Sequence, residues 1–273
     1  MTTEATIRTS DSSHWYYTDG RPCYELLKAD GKGMKTPTLA DARKLNLLPS
    51  VTTILSILDK PALTSWKVEQ GVLAVLTTPR LTGETDDAFV HRVLKVERVQ
   101  DQEAATARDR GTEIHGALED YFNGSKELAE DIKPWVMPAA RAISARGQMV
   151  ATEKILVGSG FAGKTDLIQE APDCWLVWDF KSTKKLPDKG SWVEHVLQLC
   201  AYAAAYSRLM AQVGNNKPVQ TVNCYISTVE AGSLSFSTTT PTGKRTITQD
   251  LPRWLHTGFG PRDTAHSNKW ELT

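Results

Sequence analysis

Two aspartates and a lysine in the second half of the chain have the types and spacing for metal-assisted hydrolysis. Asp166 comes thirteen residues before Asp179, which opens the run Asp179-Phe180-Lys181. Between them, Leu167-Ile168 and Trp175-Leu176-Val177-Trp178 flank a polar break, Glu170-Ala171-Pro172-Asp173. Aromatic and β-branched residues on both sides of an Ala-Pro-Asp turn predict two antiparallel strands. With the turn over 171–174, Glu170 faces Trp175, Ile168 faces Val177 and Asp166 faces Asp179. Opposed residues hold their Cβ atoms about 4.5–5.5 Å apart, where like charges repel. A divalent cation between the two carboxylates would remove that penalty. Lys181 shares a face with Asp179 because strand side chains alternate with period two. Two acids and an amine on one surface suit hydrolysis assisted by a metal. The register decides it, since a slip by one residue turns one acid away.

A helix predicted over 192–212 follows these strands. Gln198 and Tyr202 lie four apart and share one of its faces, and His195, three before Gln198, shares that face too. Ahead of the strands the pattern is helical: 50–59 with Ser50 as N-cap, 62–76, and a long stretch from Asp86 carrying Phe89, Val93, Val96 and Val99. Polar residues 100–110 lead to Gly111-Thr112, where Thr112 is expected to cap a new helix through Phe122, ended by Asn123-Gly124. A further helix is expected over 128–146, interrupted by Pro134 and Pro138. Residues 14–46 read as short strands and loops. Strands are expected over 152–157, 161–170, 175–182, 219–228 and 233–238, with an irregular tail over 251–273.

Gly158-Ser159-Gly160-Phe161-Ala162-Gly163-Lys164-Thr165 matches the phosphate-binding pattern GxxxxGK[ST]. That chemistry needs a helix N-terminus directly after the loop. Only six residues separate Thr165 from Pro172, too few for the crossover helix of a parallel sheet. A glycine-rich turn between strands is the better reading, and an NTPase using Gly158–Thr165 is the lesser alternative.

Taken together, Gly111-Thr112-Glu113-Ile114-His115, Gly163-Lys164-Thr165-Asp166, Asp179-Phe180-Lys181 and Gln198-x-x-x-Tyr202 resemble, in order and spacing, the PD-(D/E)XK nucleases of the RecB-like exonuclease group. Pro49-Ser50-Val51-Thr52 and Leu63-x-x-Trp66 are similar to the mitochondrial genome maintenance and phage exonucleases of that group. The resemblance implies that Asp166 and Asp179, with the Phe180 carbonyl and His115, ligate Mg²⁺ or Mn²⁺. It implies that Lys181 positions the attacking water and stabilises developing charge, and that Gln198 and Tyr202 support the site. Glu119, on the face of His115, would be an outer partner, and Lys184 in the basic run after the site would contact phosphate. Solvated charge is the plain alternative for both, as it is for Glu153. The fold implied is α/β: a mixed central sheet flanked by helices, a restriction-endonuclease-like core with a helical N-terminal part over one edge. The activity implied is a metal-dependent DNA exonuclease acting on ends in recombination, repair or phage replication. The N-terminal helices would arch over the site and thread a single strand. A catalytically inactive nuclease-fold DNA-binding module is the rival reading. The partner is DNA, single-stranded or at ends, and a single-strand annealing recombinase stays open as a second.

The 273 residues suit one large domain or a core with an added lobe. The expected division is 1–100, 101–245 and 246–273. Lys+Arg and Asp+Glu each number 32, so any nucleic-acid surface must be locally rather than globally basic. Cys23, Cys174, Cys200 and Cys224 are too widely spaced for a zinc site or an iron–sulfur cluster, so no cluster is expected. No apolar run reaches membrane-spanning length and residues 1–13 lack a signal-peptide core. A cytoplasmic protein with a frayed N-terminus is therefore expected, and the resemblance implies a bacterial or phage-encoded one. Trp15, Tyr16 and Tyr17 are expected in the core, with stacking on unpaired bases as the alternative.

Overall fold

The computed structural model describes residues 14–58, 60–125, 127–188, 190–239 and 245–248. The N-terminal region begins with short strands: β1 (Trp15–Tyr16), β2 (Pro22–Cys23), β3 (Leu26–Leu27) and β4 (Met34–Lys35). Helix α1 (Leu39–Leu45) follows, where strands and loops were expected. A reciprocal cap makes it: Thr38 accepts from the Asp41 N–H and the Asp41 carboxylate accepts from the Thr38 N–H. Two turns burying only Ala42 leave almost no periodic signal in the sequence.

β5 (Leu48–Pro49) pairs with β1, and Ser50 then caps α2 (Val51–Leu55) through the Thr53 N–H, as expected, although the helix stops short of residue 59. Trp15 and Tyr16 are buried, so they are not available to stack on bases.

Helices α3 (Pro61–Thr77) and α4 (Asp86–Phe122) form a hairpin with a small cluster of its own, Ala74, Phe89 and Val93. α4 is unbroken for 37 residues, so Thr112 lies in mid-helix and caps nothing. Gly111 is there for close approach rather than as a break: a Cβ on it would stand 2.3 Å from Ser182 Oγ. α5 (Lys133–Ser144) starts later than expected. Pro134 falls in its first turn, where the missing N–H has no helical partner to lose, and Pro138 lies inside.

The rest of the described chain is a six-stranded sheet in the order β11-β10-β9-β8-β7-β6. Its strands are β6 (Gln148–Val157), β7 (Ala162–Glu170), β8 (Trp175–Thr183), β9 (Val219–Ser227), β10 (Leu234–Thr239) and β11 (Arg245–Thr248), the last not anticipated. β8 and β9 are parallel and all other neighbours antiparallel. A parallel pair needs a long crossover, and α6 (Val193–Gln212) supplies it. The fold is thus mixed α/β, consistent with a restriction-endonuclease-like core. On one face, Trp178, Phe180 and Leu167 pack with Ile114 and Leu118 of α4 and Val136 and Ile143 of α5. On the other, Ile168, Trp175 and Val177 pack with Val51 of α2 and Leu199, Tyr202 and Tyr206 of α6.

The GxxxxGK[ST] match is a hairpin. The Gly158 N–H donates to the Phe161 carbonyl at 2.9 Å, Gly160 has φ +82, and Lys164 pairs with Ile155 inside the β6–β7 ladder. No helix follows the motif, so the phosphate-loop alternative fails. Among the described residues no helix is long and apolar enough to cross a membrane. The expected irregular tail and N-terminal end lie outside the described residues.

Candidate active site

The β7–β8 hairpin forms in the expected register. Glu170 pairs with Trp175, Ile168 with Val177 and Leu167 with Trp178. Continued one step, that ladder sets Asp166 against Asp179, but the backbone pairing stops at Leu167 and side chains take over. Thr165 Oγ1 donates to the Trp178 carbonyl at 2.7 Å. The Asp166 carboxylate accepts from the Phe180 N–H at 2.5 Å. Each occupies a backbone group that a regular ladder would have used. The strands therefore separate at the two acids.

Asp179 lies on the α6 face, and its neighbours follow from one helix and one register. Gln198 Nε2 donates to Asp179 Oδ1 at 3.1 Å and to Tyr202 Oη at 3.3 Å, while Gln198 Oε1 accepts from Lys181 Nζ at 3.2 Å. Lys181 Nζ stands 2.7 Å from Asp179 Oδ2, a charge contact without hydrogen-bond alignment. Gly163 gives Tyr202 its place, because a Cβ there would meet the ring at 2.5 Å. Burial pushes the Tyr202 hydroxyl well up, so it stays protonated. The parallel register sets Asn223 beside Asp179 and Tyr225 beside Lys181. Asn223 Nδ2 donates to Ser191 Oγ at 2.9 Å, and Tyr225 Oη lies 3.0 Å from His195 Nδ1. Burial, then the Lys181 ammonium, lowers His195 to about 4.

His115 approaches from the opposite face on α4. Its Nε2 lies 2.5 Å from the Phe180 carbonyl oxygen, and its ring meets the Phe180 ring edge-on. The close passage allowed by Gly111 lets α4 deliver it. Phe180 is thus the meeting point: its N–H takes Asp166, its carbonyl takes His115, and its neighbours are Asp179 and Lys181. Glu119, half-buried, is one helical turn beyond His115. Lys184 is exposed on the loop leaving β8. Glu153 forms an ion pair with Lys164.

The electrostatics favour a cation. Burial raises Asp179 above the usual carboxylate range and Asp166 adds to this, while Lys181 offsets only part. Lys181 itself is raised: burial opposes its charge, but Asp179 and Asp166 outweigh burial. The buried Asp179 Oδ2 has only the Lys181 ammonium, 2.7 Å away, beside it. Among the described residues no three His, Cys, Asp or Glu side chains form a metal cage by themselves. Two carboxylates, a main-chain carbonyl and an imidazole nevertheless suit a hard divalent ion that keeps several waters.

Strand alternation slips at this point. Leu156 and Gly163, paired across β6 and β7, both face α6. Leu167, four residues after Gly163, should face α6 as well, yet it packs on the α4–α5 side. Opposite Asp166, between the pairs Thr152–Leu167 and Lys154–Thr165, stands Glu153 with a left-handed φ of 48°.

The motif residues His115, Asp166, Asp179, Phe180, Lys181, Gln198 and Tyr202 are therefore brought together. Asn223, Tyr225 and Ser191 were missed. Nothing in their spacing marks them, since the β8–β9 register is fixed only when α6 packs. Residues 135–263 match the family model of the PD-(D/E)XK nuclease superfamily. No curated protein matches the chain.

Proposed function

We propose that this chain, whose residues 135–263 carry the PD-(D/E)XK nuclease match, is a Mg²⁺- or Mn²⁺-dependent exonuclease that hydrolyses DNA from its ends. The observation that carries the reading is the meeting of Asp166, Asp179, Lys181 and His115 around Phe180. Asp166, Asp179, the Phe180 carbonyl and His115 would hold the ion. When bound, it supplies Lewis-acid polarisation of the phosphoryl oxygen and acidifies water. Lys181 holds an ammonium where negative charge develops on phosphorus-bound oxygens. Gln198 orients that ammonium and Asp179 together, and Tyr202, kept neutral, fixes Gln198. Glu119 and Lys184 are proposed as an outer partner of His115 and a phosphate contact. The nuclease core is taken as 101–245, with the region up to residue 100 meeting substrate, and the α3–α4 hairpin arching over a threaded single strand.

The test is degradation of end-labelled single- and double-stranded DNA, with closed circles beside linear strands. Activity in Mg²⁺ or Mn²⁺, lost with EDTA and confined to DNA with ends, is the expected result. Equal cutting of circles would make it an endonuclease. DNA binding with no cleavage in either metal would make it a binding module.

A further inference from the structure

Period two in a β-strand sends neighbouring side chains to opposite faces, and neither face is what Asp166 needs. Its carboxylate must lie in the plane of the sheet to reach the Phe180 N–H. On the α6 face it would contend with Gln198 and Lys181, and on the other with the Phe180 ring. The slip in alternation between Gly163 and Leu167 frees it from both. Across the ladder, at the position facing Asp166, Glu153 has a left-handed backbone, which among the described non-glycine residues only Asn46 shares. Asn46 ends a helix, where this conformation is routine. In mid-strand an L residue is strained by it, and such strain persists where the surroundings impose it. The Glu153 side chain points to Lys164 and is tied up there. That pair is partly exposed, at 39% for lysine and 23% for glutamate, so it adds little binding strength.

We infer that Glu153 is a positioning residue: with the β6–β7 register kept in step on both sides of it, its left-handed backbone reverses the local alternation and turns Asp166 sideways into the candidate metal site. The agent is the backbone shape, and the Glu153 carboxylate is not a ligand. This rests on reading Asp166 as a metal ligand, so the test includes a readout that needs no metal.

Three variants separate the terms. Glu153→Gly accepts the left-handed backbone without strain but lacks the carboxylate. Glu153→Gln keeps the strain and the shape but lacks the charge. Glu153→Val is β-branched and disfavours that backbone. Amide exchange at Phe180, followed by NMR without metal, reports the Asp166 hydrogen bond. Protection is expected in wild type, Glu153→Gly and Glu153→Gln, and loss of it in Glu153→Val. Calorimetric Mn²⁺ titration should follow the same order, with Glu153→Val weaker by about tenfold or more. The idea fails if Glu153→Gly and Glu153→Gln lose Phe180 protection or Mn²⁺ binding, because the carboxylate would then be the agent. It fails equally if a folded Glu153→Val keeps both. Should Glu153→Val not fold, the glycine and glutamine variants still decide. Wild type that binds no Mn²⁺ while the exchange pattern holds would refute the metal reading and leave the positioning role standing.

Discussion

Trp178 and Trp66 are the same residue type in two regions held to different standards. Trp178 sits one residue before Asp179 and is fully buried against Phe236 and the helices α4 and α5. Trp66 lies on α3 with 54% of its surface exposed, and Leu76 on the same helix reaches 75%. The sheet is packed on both faces, which suits a proposed site whose atoms must be fixed to fractions of an ångström. Among the described residues, the end of the α3–α4 hairpin away from the sheet holds a small buried cluster, Ala74, Phe89 and Val93, and α3 shows apolar surface outward. Isolated exposed apolar residues mean little, but a run of them along one helix is what a proposed contact surface would show. The region proposed for the chemistry is over-determined, and the region proposed to meet substrate is left incomplete.

Core truncation tests the contrast hardest. Trp178→Ala is expected to cost about 3–5 kcal/mol in urea unfolding, whereas Leu76→Ala should stay within about 0.5 kcal/mol. Similar losses would abolish the distinction. Lys181→Ala should lower kcat by roughly 10²–10³ with melting temperature preserved; near-wild-type turnover would remove Lys181 from the chemistry.

Acid should find the sheet side first. Burial, then Lys181, holds folded His195 at about 4, below its unfolded value of about 6.5. Above that value both states are neutral and contribute no difference. As pH falls from about 6.5 toward 4 the unfolded chain takes up the proton first, so stability drops, by at most about 3 kcal/mol. His195→Gln should flatten that part of the stability curve, and an unchanged slope would show that the imidazole is freely protonated in the fold. The smallest effect is expected from Trp66→Ala. It should leave stability unmoved yet raise KM for single strands by a few fold, through lost stacking worth about 1 kcal/mol or more. A fall in melting temperature with no change in KM would reassign Trp66 to packing.

Most of the site was legible because its parts lie close in sequence. The turn fixes the hairpin register as far as Leu167 and Trp178 and so brings Asp166 near Asp179, and helical spacing alone puts Gln198 beside Tyr202. The glycines at 111 and 163 were legible as motif letters but not as reasons. By sequence Gly111 precedes a new helix, whereas in the fold it lies inside a continuous α4 with Ser182 packed against it. α1 was missed because a local cap, not a hydrophobic stripe, makes it.

The sequence by itself determined the hairpin, its register and the set of acids and amine, since these follow from period two and turn chemistry over a few residues. Tertiary structure decided what lies beside them. Asn223 and Tyr225 reach the site only because α6 carries the chain over to a parallel strand. His115 meets Phe180 only because two backbones pass closely. The sideways turn of Asp166 breaks the very periodicity by which a sequence is read, so only the packed sheet could reveal it.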